Sequence, residues 1–104
     1  MSTIQLESVR ATVIEALRAA EDDSNASPVL VAVVREFAGK AAKAVTLAGE
    51  GREWEAVVEL EQAGDSAKAA VEADRAAADD TRSSVLAAHL AICRLKARLD
   101  QTTR

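Results

Sequence analysis

The sequence predicts an all-α protein, a small antiparallel helical bundle of about four helices joined by short turns, and three observations carry the prediction. Of 104 residues, 24 are alanine, the best helix former, while the aromatics that favour strands are reduced to one Trp, one Phe and no Tyr. Four Gly and one Pro are too few to punctuate the frequent turns of an all-β chain. Large apolar residues recur at three- and four-residue spacing, the period of a helix that buries one face. The length suits one core, so a single domain is expected over residues 1–104.

The first helix is expected to begin at Ser2, where Ser2-Thr3-Ile4-Gln5 has the form of a capping box. Leu6, Val9, Val13, Leu17 and Ala20 make its core stripe, and the polar run 21–25 ends it. Ser27-Pro28 opens a second helix that runs to about Ala48, since Ser caps and Pro at the first position gives up only a donor without a partner. Residues 29–34 are apolar all round and taken alone would also suit a buried strand. The capped entry and the spacing of Leu30, Val34, Phe37, Ala41 and Val45 favour helix. Gly49 is expected to take the left-handed conformation that ends helices.

A third helix is expected from Arg52, carrying Trp54, Val57, Val58 and Leu60; either Gly64-Asp65-Ser66 breaks it or, as the helical phase of Leu60, Gly64, Ala67, Val71 and Ala78 favours, it continues through Gly64 to about Ala78. Gly39 and Ala42 fall near the level of Ala63 and Gly64, which predicts a close approach of the second and third helices. Asp79, Asp80 and Thr81 read as a turn and cap before a fourth helix from Arg82 to Asp100. That helix has two apolar stripes. Val85, Ala88, Ile92, Leu95 and Leu99 share one face, and Leu86, Leu90, Cys93 and Ala97 share another more than a quarter-turn away. Arg94, Lys96 and Arg98 complement its dipole.

A net charge of -4 disfavours nucleic acid and anionic membrane as partners, and neither is expected. Cys93 is the only cysteine, so no intramolecular disulfide forms and a reducing cytoplasm is the expected location. Neither a leader-like N-terminus nor a spanning segment is recognisable, the longest apolar run being residues 29–34. The excess of alanine and of arginine over lysine suggests a GC-rich bacterial coding bias.

Catalytic groups are sparse. His89 is the only histidine, and in size and helical content the chain resembles a histidine phosphotransfer domain. Ile92 and Cys93 stand where that family places the Lys and Gly that serve the phosphate, so His89 reads as structural. Glu55 with Glu59, and Glu61 with Asp65, are spaced to share a cation, but a bundle di-iron site needs Glu-x-x-His from two helices. The pyrophosphatase-type bundle needs Glu-x-x-Glu inside a helix, and Glu50 with Glu53 sits at a turn. Cys93 has no general base suggested by its place in the chain, and it reads as a small hydrophobe. Neither a phosphate loop nor a nucleophile elbow occurs. No enzyme activity, cofactor or metal is therefore expected.

Gly51, Ala56, Leu60 and Ala63 fall at the spacing of the second helix of a tetratricopeptide repeat, and the segment is similar to small flagellar or type III export chaperones. Lys40, Lys43 and Leu47 stand at first-helix positions of that repeat where, Leu47 apart, large apolar residues are missing, and no second repeat follows. The function expected from the sequence is a protein–protein interaction module, adaptor or chaperone-like, that binds a protein partner or itself, with a homodimer the simplest form; the alternatives are a structural homo-oligomer without other partner and, after it, a small-molecule-binding or phosphotransfer-type bundle. The surplus apolar surface nominates Leu86, Leu90, Cys93, Val29 and Val33 for the interface.

Overall fold

In a computed structural model the described residues, 3–102, form four helices: α1 (Thr3–Asp22), α2 (Pro28–Gly49), α3 (Glu53–Ala73) and α4 (Asp79–Thr102). Each packs on its neighbours in chain order, and α4 closes against α1, giving an up-down-up-down bundle of 42 × 21 × 17 Å. Among the described residues there is no strand, and residues 29–34 are helical. None of the helices is long and apolar enough to cross a membrane. The expected capping residue Ser2 lies outside the described residues.

The buried face of every helix recurs at three and four residues, and the pattern repeats along the chain. Leu6, Val9, Val13, Ala16 and Ala20 of α1 are buried, and so, 51 residues later in each case, are Val57, Leu60, Gly64, Ala67 and Val71 of α3. Leu30, Val34, Phe37, Ala41, Ala44 and Ala48 of α2 correspond at the same spacing to Thr81, Val85, Ala88, Ile92, Leu95 and Leu99 of α4, all buried. The bundle is thus two helical hairpins with the same burial pattern. Their sequences agree best around the turn, where Ala16-x-x-Ala19-x-Glu21-x-Asp23-x-x-Ala26 recurs as Ala67-x-x-Ala70-x-Glu72-x-Asp74-x-x-Ala77.

The two interhelix turns hold each other through their aspartates. Asp23 Oδ1 accepts from the Asn25 amide at 2.9 Å within its own turn, while Oδ2 reaches across to accept from the Ala78 amide at 2.7 Å and the Thr81 hydroxyl at 2.8 Å. Asp74 repeats the arrangement, with Oδ1 on the Ala76 amide at 3.2 Å and Oδ2 on the Ser27 amide at 2.8 Å. Each carboxylate thus serves the start of a helix in the other hairpin, where amide donors and the positive end of the dipole favour negative charge. These amide bonds hold both carboxyls below the usual carboxylate range.

Several boundaries differ from the sequence expectation. The third helix is continuous through Gly64 but ends at Ala73 instead of about Ala78, and α4 begins at Asp79 instead of Arg82. The turn forms at Asp74 because its side chain bonds forward to Ala76 and across to Ser27, and Arg82 donates to the carbonyls of Val71 and Asp74 at the end of α3. Gly49 is the last residue of α2, and the left-handed conformation falls on Gly51, φ +80°, as the Gly51 and Arg52 amides bond back to Ala48 and Leu47. Leu17 and Val45 are half-buried against the core, which Ala16 and Ala44 enter fully.

The expected close approach holds for Gly64 and fails for Gly39. A Cβ on Gly64 would lie 3.2 Å from both Phe37 Cζ and Ile92 Cγ2, so the missing side chain makes room for the Phe37 ring. Gly39 is exposed, with nothing within 4 Å of an added Cβ, because it sits on the outward face of α2. Gly64→Val, the residue that the first hairpin carries as Val13, is expected to destabilise by about 1–3 kcal/mol through overpacking. Gly39→Ala is expected to stabilise by about 1 kcal/mol, since only helix propensity changes. Thermal unfolding by circular dichroism checks both signs.

A second expectation concerns acid. Asp23 and Asp74 have depressed folded-state pKa values, so the stability they contribute is complete above the unfolded value of about 3.9 and drains away as pH falls through the lower folded values. The gap in melting temperature between the wild type and Asp23→Asn/Asp74→Asn is expected to be widest near neutrality and to close below about pH 4. A gap that does not change with pH contradicts the role given to the carboxylates.

Candidate functional site

The seam between α3 and α4 gathers the chain's one Trp, one His and one Cys. On α4, Leu86, His89, Cys93 and Lys96 follow one another at three and four residues and line the side that faces α3. On α3, Trp54, Glu61 and Asp65 line the facing side. His89 Nε2 lies 2.9 Å from Asp65 Oδ1. Cys93 Sγ lies 3.5 Å from the same nitrogen and 4.0 Å from Nδ1. The imidazole is mostly covered, with its side chain 17% exposed, whereas Asp65 is 62% exposed.

Farther along the seam, Lys96 Nζ pairs with Glu61 at 3.1 Å and stands 5.8 Å from the centroid of the Trp54 ring. Trp54, Glu61, Cys93, Lys96, Ala97 and Asp100 line a shallow cleft there. Burial pushes the Cys93 thiol up, and the carboxylates of Glu61 and Asp65 add to the shift. The group is therefore held as a thiol at neutral pH. A nucleophilic Cys–His–Asp relay places thiol and carboxylate on opposite ring nitrogens, and here both gather at Nε2. The arrangement suits joint coordination better than proton relay.

The comparable place in the other hairpin shows what packing alone requires. At the positions 51 residues earlier, Asp65, His89, Cys93 and Lys96 are matched by Ile14, Ala38, Ala42 and Val45, which lie on the seam between α1 and α2. Trp54, Leu86 and Leu90 are matched by Thr3, Arg35 and Gly39. The backbone accepts an apolar filling at this place.

No family model, curated protein or solved structure matches this chain.

The five residues nominated for an interface do not share one surface. Leu90 is 46% exposed on the outward side of α4, with Leu86 and Cys93 half-buried beside it towards α3. Val33 is half-buried on the α2–α3 seam with Glu36, Lys40 and Gln62, and Val29 is 68% exposed where α2 begins. α3 separates the two groups. The second apolar stripe of α4 is thus partly covered, since α4 packs on both α1 and α3.

The carboxylates of the pairs read from the sequence each meet a basic side chain. Glu55 pairs with Arg52 at 2.7 Å, Glu59 with Lys43 at 3.5 Å and Glu61 with Lys96 at 3.1 Å, while Asp65 meets His89. Sequence reasoning missed the convergence at His89. The spacing of His89 and Cys93, four residues apart on one helix, was a usable signal. The arrival of Asp65 from α3 depends on how the helices are set and had none.

Proposed function

We propose that this protein is a non-enzymatic interaction module, adaptor or chaperone-like, that works through its α3–α4 face and takes a second copy of itself as partner. One observation supports this above others. Trp54 and Leu90, 45% and 46% exposed, lie on one face where the other hairpin carries Thr3 and Gly39. Trp54 packs beside Lys96, and Leu90 lies six residues, about 9 Å, back along α4. Both fit within one interface footprint.

Half-buried Leu86 and Cys93 extend the apolar part of that face. Full burial of a large apolar side chain is worth about 1.5–3 kcal/mol, and tryptophan is among the residues that anchor interfaces. A twofold pair covers the same patch on both copies and needs no second gene product. The single thiol fits a reducing cytoplasm, and the alanine- and arginine-rich composition fits a GC-rich bacterial genome.

Sedimentation over a range of concentrations tests this reading. The wild type is expected to form a dimer, Leu90→Glu a folded monomer, and Val29→Glu, on the other side of α3, a dimer like the wild type. A wild type that stays monomeric at high concentration, or a Leu90→Glu variant that still dimerises, refutes it.

A further inference from the structure

We propose that Asp65, His89 and Cys93 hold a single transition-metal ion of the Zn2+ class, bound through one oxygen, one nitrogen and one sulfur and joining α3 to α4. The inference stands apart from self-association, since all three donors come from one chain.

The geometry comes first. Among the described residues this is the one group of three potential metal ligands, and the donor atoms all lie within 4.8 Å of one another. Around a tetrahedral ion with Zn–N about 2.0 Å and Zn–S about 2.3 Å, the nitrogen and sulfur stand about 3.5 Å apart and nitrogen and oxygen about 3.3 Å. The structure has 3.5 Å between Cys93 Sγ and His89 Nε2 and 2.9 Å between Nε2 and Asp65 Oδ1. The sulfur–nitrogen distance already fits, and since Cys93 Sγ also lies 4.0 Å from Nδ1, beside the ring, the imidazole has to turn to aim Nε2 at an ion between the three donors. The oxygen–nitrogen edge has to open by a few tenths of an ångström, which the exposed Asp65 side chain permits.

The donor set then selects the ion. Ca2+ and Mg2+ take oxygen ligands and gain nothing from imidazole and thiol, whereas Zn2+ accepts sulfur, nitrogen and carboxylate together. His89 and Cys93, one turn apart on α4, present their donors on the same side of the helix. Asp65 supplies the third ligand from the facing helix. The Glu61 carboxylate, one turn before Asp65 on α3, adds negative charge beside Cys93. Of the three donors, Cys93 also lines the shallow cleft alongside.

Packing does not explain the cluster. The same place in the first hairpin is filled by Ile14, Ala38 and Ala42 within an equally buried helix pair. A carboxylate oxygen, an imidazole nitrogen and a sulfur within 4.8 Å of one another form a donor set that a metal can use and that the first hairpin does without.

Co2+ titration of the purified full chain tests the site, because cobalt reports both thiolate ligation and tetrahedral geometry. The expected result is one Co2+ per chain, with near-ultraviolet sulfur-to-cobalt charge transfer and visible bands of tetrahedral intensity, both removed by Zn2+. Cys93→Ser is expected to lose the charge transfer. His89→Ala and Asp65→Asn are expected to bind more weakly by more than the roughly 10–100-fold typical of losing an outer-sphere partner. Asp65 is exposed, so Asp65→Asn is expected to melt like the wild type without metal. Because the ion joins two helices, Zn2+ raises the melting temperature of the wild type and does so far less for Asp65→Asn. Absence of sulfur-to-cobalt charge transfer in the wild type overturns the proposal. So does wild-type affinity in Asp65→Asn, which would reduce the site to two ligands on one helix.

Discussion

Phe37 is the one aromatic ring in the core, and helix spacing at its level depends on how little stands opposite it. Gly64 faces the ring with no side chain, and Ile92 fills the space next to it. Much of the rest of the core is alanine and valine, which bury little area per residue, so the bundle gains cohesion by bringing helices close. A continuous α3 through Gly64 is part of that solution. The glycine lowers helix propensity but lets the Phe37 ring of α2 sit against α3 beside Ile92 of α4.

A core of this kind gives little hold to the turns at the end of the bundle, and there polar groups take over. Asp23 and Asp74 each organise their own turn and the helix start of the other hairpin, so the two hairpins are registered by reciprocal hydrogen bonds. Thr81, the buried polar residue of the core, donates to Asp23 and to the Ala19 carbonyl. Equivalent backbones then carry unlike seams: apolar at α1–α2, and a set of polar and ionisable groups at α3–α4.

Much of this was legible in the sequence, for identifiable reasons. Helix class and the faces of Leu6, Val34, Phe37 and Ile92 follow from local spacing, and Ser27-Pro28 marks a helix start that the structure keeps, with Ser27 Oγ accepting from the Leu30 amide. The end of α3 was misplaced because Asp74 gains its decisive partner, Ser27, from 47 residues away, and the start of α4 because the Ala78 amide and the Thr81 hydroxyl are held by Asp23, 55 and 58 residues earlier. Gly39 was misjudged because two glycines at one level need not face each other. The 51-residue repeat was present as two copies of one alanine–glutamate–aspartate pattern, too short to stand out without the matching burial. The candidate site was half legible: His89 and Cys93 share a helix face by spacing, and Asp65 joins them only through packing.

The proposed binding role requires that the fold manage without the α3–α4 cluster. It is tested most directly by giving that seam the residues of the other one, in the triple variant Asp65→Ile, His89→Ala, Cys93→Ala, and measuring thermal unfolding without metal. A cooperative transition at or above the wild-type temperature is expected, since Asp65 is 62% exposed and the replacements are those the first hairpin already packs. A large fall in melting temperature, or loss of the cooperative transition, would make the cluster a structural requirement and contradict the account.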